Sequence, residues 1–319
     1  MDNWSSAGAK HSQQLNLEPR YLKPMEDVAF QRLEPGPEED HQIEDIIHLR
    51  ESSLWAQMIP LTEMIAQIEE LHETTVRKLS KNIDIYTKAT RLAHRLDSWL
   101  LRLPTELRNS PENFERFTDL GHGRTFVWLH VNYHHHSTLL YYQFLHQDPD
   151  NSPDPLLTYE YANRCKEHAK ELSSLLWTTN STTNCDCIWV GIGHLLVVSS
   201  SVHLHTLLFA VDEQLIGEAK QLLKQNFEMM IRLQKYWPAL ELSLSRLRAF
   251  LDACRRNMGT SFRMDSWMLQ FLQRYTRPCG WKCTKPLDED PIDGPSPAGS
   301  QDYNYGLATS SEILNIFVI

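Results

Sequence analysis

Clusters of basic residues are missing from this acidic chain of 319 residues. Its formal net charge is −10, and no run of lysine and arginine is longer than two residues. A protein with this charge has little sequence-independent affinity for nucleic acid or for an anionic membrane surface. We therefore expect no direct contact with nucleic acid and no attachment to a membrane through charge.

Cysteine is also sparse, and its spacing does not match a structural zinc site. Such a site usually takes two close cysteine pairs, or a cysteine pair with a histidine pair. The opening residues, MDNWSSAGAKHSQQ, lack the apolar core of a signal peptide, so we expect a reducing compartment rather than a disulfide framework. The six cysteines are Cys165, Cys185, Cys187, Cys254, Cys279 and Cys283.

Catalytic motifs are absent from the sequence as well. Gly191 and Gly193 begin a dinucleotide-type fingerprint, but Leu196 stands where the third glycine is needed and no predicted strand precedes it. The chain has no Gly-x-Ser-x-Gly, no glycine-rich phosphate loop with lysine, and no compact group of carboxylates for general acid and base catalysis. The sequence predicts no enzyme, no catalytic residue and no cofactor.

Alternating strand patterns are lacking, and the chain shows helical periodicity instead. From Ile43 onward, apolar residues recur every three or four positions, which is typical of helices with one buried face. A break is expected at Pro60, because proline lacks the amide hydrogen that a helix interior uses. The predicted helical segments are 46–71, 83–103, 124–146, 156–177, 188–211, 213–237, 240–257 and 264–275.

The segment 188–211 contains no Asp, Glu, Lys or Arg and is long enough to cross a bilayer. Three histidines and a cluster of serines interrupt its apolar character, and it has no basic flank. A buried helix, or a broken helix pair, inside a large helical domain is therefore the better interpretation. We expect no membrane span.

Composition divides the chain into three parts. Residues 1–42 are polar, acidic and punctuated by proline, and residues 283–319 are rich in proline, glycine and aspartate until the last few positions. Segments of this composition cannot bury enough apolar surface to fold. The sequence predicts an all-α fold, with one large helical domain over residues 43–282, a disordered leader before it and a disordered tail after it.

The stretch WLHVNYHHHSTLLYYQFLH, residues 128–146, places three histidines in a row among aromatic residues. At about 100° per residue, His134, His135 and His136 point in different directions around a helix, so they cannot bind one ion together. His130 and His134 do share a face, at the spacing of a zinc-binding helix. No glutamate follows His130, however, and no acidic third ligand is close in sequence, so no metal site is predicted.

A packed interior explains more of this stretch than a metal site does. A helix over these residues is apolar nearly all round, and such a helix belongs in the middle of a domain. If the histidines act beyond packing, His130, Tyr133 and His134 are the predicted place for an effector site or a buried polar network. The main apolar stripe comprises Phe126, Leu129, Tyr133, His136, Leu140 and Phe144.

Six segments of the chain form an ordered pattern. They are LWAQMIPLTEMIAQIEELH (54–72), LDSWLLRLPTEL (96–107), GHGRTFVWLHVNYHHHSTLLYYQFLH (121–146), RCKEHAKELSSLL (164–176), VSSSVHLHTLLF (198–209) and MDSWMLQFLQRY (264–275). The most telling features are the step from Trp99 to Pro104, the histidine-rich helix, and the Arg-Cys-x-x-x-Ala pattern of residues 164–169. Taken in order, the segments resemble the middle homology region of fungal zinc-cluster (Zn2Cys6) transcription factors over residues 43–281.

The resemblance implies a helical regulatory module that controls an attached DNA-binding domain and senses effectors or contacts co-regulators. It also implies a nuclear location and control of metabolic or biosynthetic genes. The cysteines of this chain cannot form the family's amino-terminal six-cysteine zinc cluster, so no zinc-binding or DNA-binding residue is carried over. Either the cluster lies upstream of Met1, or the protein regulates without touching DNA.

Two other functions remain open from the sequence. One is a DNA-independent helical scaffold that binds or sequesters another regulator, and the other is a metal-dependent enzyme built on His130 and His134. The expected partners are transcriptional co-regulators or a related full-length regulator, with a homodimer as a further expectation. The transcription regulator is the preferred interpretation because of the ordered resemblance.

Overall fold

The computed structural model describes residues 53–76, 82–145 and 152–241, together with residues 244 and 247. In these ranges the backbone forms helices, turns and bends but no strand, so the predicted all-α class is confirmed. The helices are α1 (Leu54–Val76), α2 (Asn82–Arg102), a short 3-10 helix (Thr105–Leu107), α3 (Pro111–Asp119), α4 (Gly123–Tyr142), α5 (Pro155–Thr179), α6 (Ile192–Phe209) and α7 (Glu213–Gln234).

The central helix of the described body is α4. It packs against α1, α2, α3, α5 and α6, and α6 also packs against α5 and α7. Every member of the predicted apolar stripe is buried, and Phe126, Leu129 and Leu140 are completely shielded from solvent. A helix that is apolar on all sides is stable where neighbours cover all its sides. The prediction that α4 is an interior helix is therefore confirmed.

The uncharged helix α6 is the second interior helix. By length and composition alone it could span a bilayer, yet most of it is buried in the helical body. Its contacts are with α4, α5 and α7. An interior helix of a globular body meets the same criterion of length and hydropathy. The predicted buried helix is confirmed, although it begins at Ile192 rather than at residue 188.

The break predicted at Pro60 is wrong, because α1 continues from Leu54 to Val76 with Pro60 inside it. Proline removes one intrahelical hydrogen bond and crowds the carbonyl group four residues earlier. At this turn α1 gains a donor from outside, since the indole Nε1 of Trp99 donates to the carbonyl oxygen of Gln57 at 3.1 Å. Trp99 is buried, so this bond joins α2 to the turn of α1 that precedes Pro60.

The predicted segments do not include α3, although the sequence carries the signal of a helix start there. Ser110 accepts a hydrogen bond from the backbone N–H of Asn113 at 3.2 Å, and Pro111 is the first helical residue. The helix has 9 residues and buries Phe117 alone. A helix this short shows too little periodicity for an apolar pattern to reveal it.

Several predictions fall outside the described residues. These are the leader, the tail, the domain boundaries at 42/43 and 282/283, and the segment 264–275. Part of the predicted helix 240–257 is described, and Leu240, Leu244 and Leu247 are helical and buried. Their spacing of three and four places them on one inward face.

Candidate functional site

The histidines of α4 point to three different neighbours. His130 lies against the 3-10 helix, and His134 meets α5. His135 lies beside His194 of α6, with ring centroids 5.4 Å apart. This divergence follows from the angle of about 100° between successive residues of a helix. One bound ion could therefore not reach all three.

His130 holds the end of the 3-10 helix. Its Nε2 lies 3.0 Å from the carbonyl oxygen of Leu107, and its ring meets Phe126 edge to face at a centroid distance of 4.8 Å. Burial lowers the pKa of His130 to about 4, and the hydrogen bond to Leu107 opposes this effect more weakly. The ring is therefore neutral at pH 7. Because a carbonyl oxygen can only accept, Nε2 carries the hydrogen.

His134 forms a pair with His168 of α5. The two Nδ1 atoms are 3.1 Å apart, and both side chains are half-buried. Burial is the main cause that lowers the pKa of His134 to about 3 and that of His168 to about 4. Two neutral imidazoles in this contact must be different tautomers. One donates its Nδ1 hydrogen, and the other accepts it with the Nδ1 lone pair.

Tyr133 forms an aromatic wall beside the histidine pair. Its ring stacks on Trp99 of α2 at a centroid distance of 5.3 Å. It also meets His134 and His168 edge to face, at 5.1 and 5.5 Å. Burial raises the pKa of the Tyr133 hydroxyl, and the Asp97 carboxylate raises it further. The phenol therefore stays protonated at neutral pH.

An ion pair between Asp97 of α2 and Arg164 of α5 borders the two histidines. Arg164 donates to the Asp97 carboxylate, and its guanidinium carbon lies 4.8 Å from the ring centre of Tyr141. Tyr141 is fully buried, and its hydroxyl has no hydrogen-bond partner among the described residues. Asp97 and Arg164 carry opposite charges, so the site has no net charge when its imidazoles are neutral. We call Asp97, Tyr133, His134, Arg164 and His168 the seam cluster.

The structure divides the predicted trio of His130, Tyr133 and His134. Tyr133 and His134 belong to the seam cluster, whereas no hydrogen bond or ring contact in the described part of the chain joins His130 to them. The polar partner of His134 is His168, which the sequence pattern did not indicate. One feature of the sequence could have indicated His168. It lies four residues after Arg164, so the two side chains share one face of a helix.

A second, fully buried polar network joins α5, α6 and α7. Its centre is Asn226, which is completely shielded from solvent. The Asn226 amide nitrogen lies 3.1 Å from the hydroxyl oxygen of Ser173 and 3.0 Å from those of Ser199 and Ser200. The Ser173 hydroxyl also lies 2.9 Å from Nε2 of His203. These contacts join the three helices inside an apolar interface, while the amide oxygen of Asn226 has no hydrogen-bond partner among the described residues.

Ser173 and His203 have the separation of a nucleophile and its general base. However, Ser173 is 0% exposed and His203 is 4% exposed, so solvent and substrate do not reach the pair within the described body. Burial also lowers the pKa of His203 to about 3, which makes it a weak proton acceptor at pH 7. The contact therefore serves the packing of α5 against α6.

No multi-ligand metal centre is present in residues 53–247 where they are described. No group of three or more His, Cys, Asp or Glu side chains there could hold an ion. A cavity between α1 and α2, lined in part by Gln67, Lys88 and Arg91, has a volume of about 50 Å³. Small-molecule sites are typically about 300–1,000 Å³, so this cavity has room for water rather than for an organic effector.

The seam cluster is the candidate functional site. It combines two half-buried neutral imidazoles, a tyrosine and an ion pair, and solvent reaches both histidines. These groups can share hydrogen bonds, and imidazole lone pairs are good ligands for zinc and copper. In comparisons with known proteins, the chain matches no family model, no curated protein and no solved structure.

Proposed function

We propose that this chain is the regulatory domain of a fungal zinc-cluster-type transcription regulator, acting in the nucleus through contacts with other proteins. One observation carries the proposal. Five of the six segments that resemble the family lie on α1, the end of α2, α4, α5 and α6. These helices pack on or beside α4, so segments that are distant in sequence contribute to one helical body. A single regulatory domain requires this arrangement.

A tethered reporter tests this function. Residues 43–281 are fused to a heterologous DNA-binding domain in a fungal host, and expression from its target promoter is measured. We expect expression to differ from that given by the DNA-binding domain alone. Co-regulators, or a related full-length regulator, are the proposed partners, and control of metabolic or biosynthetic genes is part of the same proposal.

The matched control is the same fusion carrying Leu129→Asp. Leu129 is 0% exposed in the central helix, so a buried carboxylate there unfolds the body and abolishes the effect. A wild-type fusion that accumulates normally and leaves expression unchanged under every tested condition would count against the regulatory function.

An exposed aromatic surface favours a second candidate, the DNA-independent scaffold that sequesters another regulator. Trp189, Tyr236 and Trp237 are 44%, 59% and 39% exposed. The Trp237 indole donates to the carbonyl oxygen of Ile188 at 2.6 Å, which brings the two parts of this surface together. Aromatic side chains of this kind are enriched at protein interfaces.

The scaffold predicts a stable complex with a regulator and no change in expression when the chain is tethered to DNA. Affinity purification from the native host distinguishes the scaffold from the first candidate, and recovery of no regulator would weaken the scaffold function.

A metal-dependent enzyme on His130 and His134 has less support. The Nε2 of His130 is engaged by Leu107, and His134 faces His168 instead.

A further inference from the structure

The two Nδ1 atoms of His134 and His168 have the separation of two nitrogens bound to one metal ion. Nitrogen ligands lie about 2.0–2.1 Å from zinc, which places two of them about 2.9 Å apart at a right angle and about 3.3 Å apart at a tetrahedral angle. The observed distance of 3.1 Å lies between these limits. Because the two lone pairs now face along the line between the nitrogens, both rings would have to turn by roughly 40° for the lone pairs to meet at one ion.

We propose that His134 and His168 together bind one divalent copper or zinc ion through their Nδ1 atoms, with water completing its coordination. The ion replaces the hydrogen bond between the two rings. The imidazole that carries its hydrogen on Nδ1 takes the opposite tautomer, with that hydrogen on Nε2. Each ring keeps one hydrogen, so binding releases no net proton.

The surroundings of the pair permit this exchange. Both side chains are half-buried, so an ion can enter from solvent. The guanidinium of Arg164 is paired with the Asp97 carboxylate, which partly compensates its positive charge at His168.

A hydrated ion needs less room beside the two nitrogens than an organic effector does. The site also differs from the helical His130 and His134 spacing that the sequence suggests, since the second ligand comes from α5. The proposal is independent of the regulatory function, because purified protein and metal alone test it.

Cu2+ is the probe, since it binds nitrogen sites most tightly among the divalent first-row ions. The purified full chain is titrated with Cu2+ by calorimetry, alongside His134→Gln, His168→Gln and His94→Gln. His94 is exposed on α2 and serves as the control for binding by any surface histidine. We expect the tightest equivalent to weaken by about tenfold or more in the first two variants and to be unchanged in the third.

Two results would overturn the site. One is a tight equivalent that persists in both His134→Gln and His168→Gln, and the other is an equal loss in His94→Gln. Circular dichroism checks that each variant keeps its helices. If the first two lose them, electron paramagnetic resonance of the wild-type chain with one equivalent of Cu2+ decides. Coupling to two imidazole nitrogens supports the site, and coupling to one or none rejects it.

Discussion

Histidine serves different purposes within a few residues of α4. His130 donates to a carbonyl oxygen at the end of the 3-10 helix, and His134 pairs with an imidazole of α5. His136 is 3% exposed and fills the core as an aromatic ring would. Position around the helix decides among these uses, because each residue faces a different neighbour.

Replacing His130 by alanine tests its structural use. The change removes the donor to Leu107 and opens a cavity at a position that is 2% exposed. An unsatisfied buried carbonyl and a new cavity together should reduce the free energy of unfolding by about 2–4 kcal/mol in urea denaturation. His94→Ala, at an exposed site, should change it by less than about 0.5 kcal/mol. Equal small losses in both variants would refute the role given to His130.

The pairing of His134 with His168 could not be predicted from the sequence. The two residues are 34 positions apart, and their contact depends on how α4 and α5 cross. The burial of His136, in contrast, follows directly from its place in the apolar stripe. Local periodicity shows which face of a helix is buried, but not which residue of another helix meets it.

At the scale of elements, the loop before α6 crosses the start of α4 at very close range. A Cβ atom added to Gly123 would lie 2.4 Å from the sulfur of Cys185 and 3.0 Å from the carbonyl oxygen of Asn184. Arg124 also forms an ion pair with Asp186 of this loop, at 2.8 Å. The sulfur of Cys185 and the carbonyl oxygen of Asn184 therefore leave no room for a side chain at the first residue of α4.

Two glycine substitutions should have effects of opposite sign. Gly123→Ala should lower the free energy of unfolding by about 1–3 kcal/mol, because the methyl group overpacks the loop. Gly217→Ala, in the interior of α7, meets nothing within 4 Å and should raise it by about 0.5–1 kcal/mol through helix propensity. Thermal and urea unfolding of both variants measure this. A stabilising Gly123→Ala would show that the loop does not lie against α4.

The buried network should couple α5 to α7. In a double-mutant cycle, Asn226→Ala and Ser173→Ala should interact by more than about 0.5 kcal/mol, because their side chains bond directly. Thr178→Ala is the control on the same helix, since Thr178 is exposed and should be additive with Asn226→Ala. Additivity in the Ser173 cycle would mean that the network does not join the helices.

At the scale of the whole molecule, burial of neutral histidines makes stability depend on pH. The unfolded chain takes up protons near pH 6.5, whereas the folded histidines resist protonation until about pH 3–4. Acid therefore favours unfolding between these limits, and the effect is absent above about pH 7. In the described part of the chain, six histidines have a pKa lowered to about 3 or 4: His72, His130, His134, His136, His168 and His203.

The free energy of unfolding should fall by more than about 1.4 kcal/mol per pH unit from pH 6 to pH 5, since one such histidine contributes about that much. Glu69 acts in the opposite direction, because burial raises its pKa to about 7 and its proton then favours the folded state. The single proton bound by Glu69 is too small an effect to offset the six buried histidines. Urea denaturation at several pH values measures the slope, and a flat profile from pH 7.5 to pH 5 would contradict it.

The sequence indicated the fold class and the two interior helices better than it indicated the site. The patterns over α4 and α6 are apolar on nearly every face, and only burial on all sides can accommodate such helices. The continuity of α1 through Pro60 and the contact of this turn with Trp99 of α2 could not be foreseen from the sequence pattern. Site geometry likewise arises from tertiary packing.

The central claim is that the histidine run belongs to the neutral, packed interior of a helical body. Nuclear magnetic resonance of the ring nitrogens tests it most directly, with the protein unfolded in urea as reference. We predict that His130 and His136 stay neutral from pH 7.5 to pH 5.5, with the hydrogen of His130 on Nε2. Titration of these rings with a midpoint near 6.5, as in the unfolded chain, would contradict it.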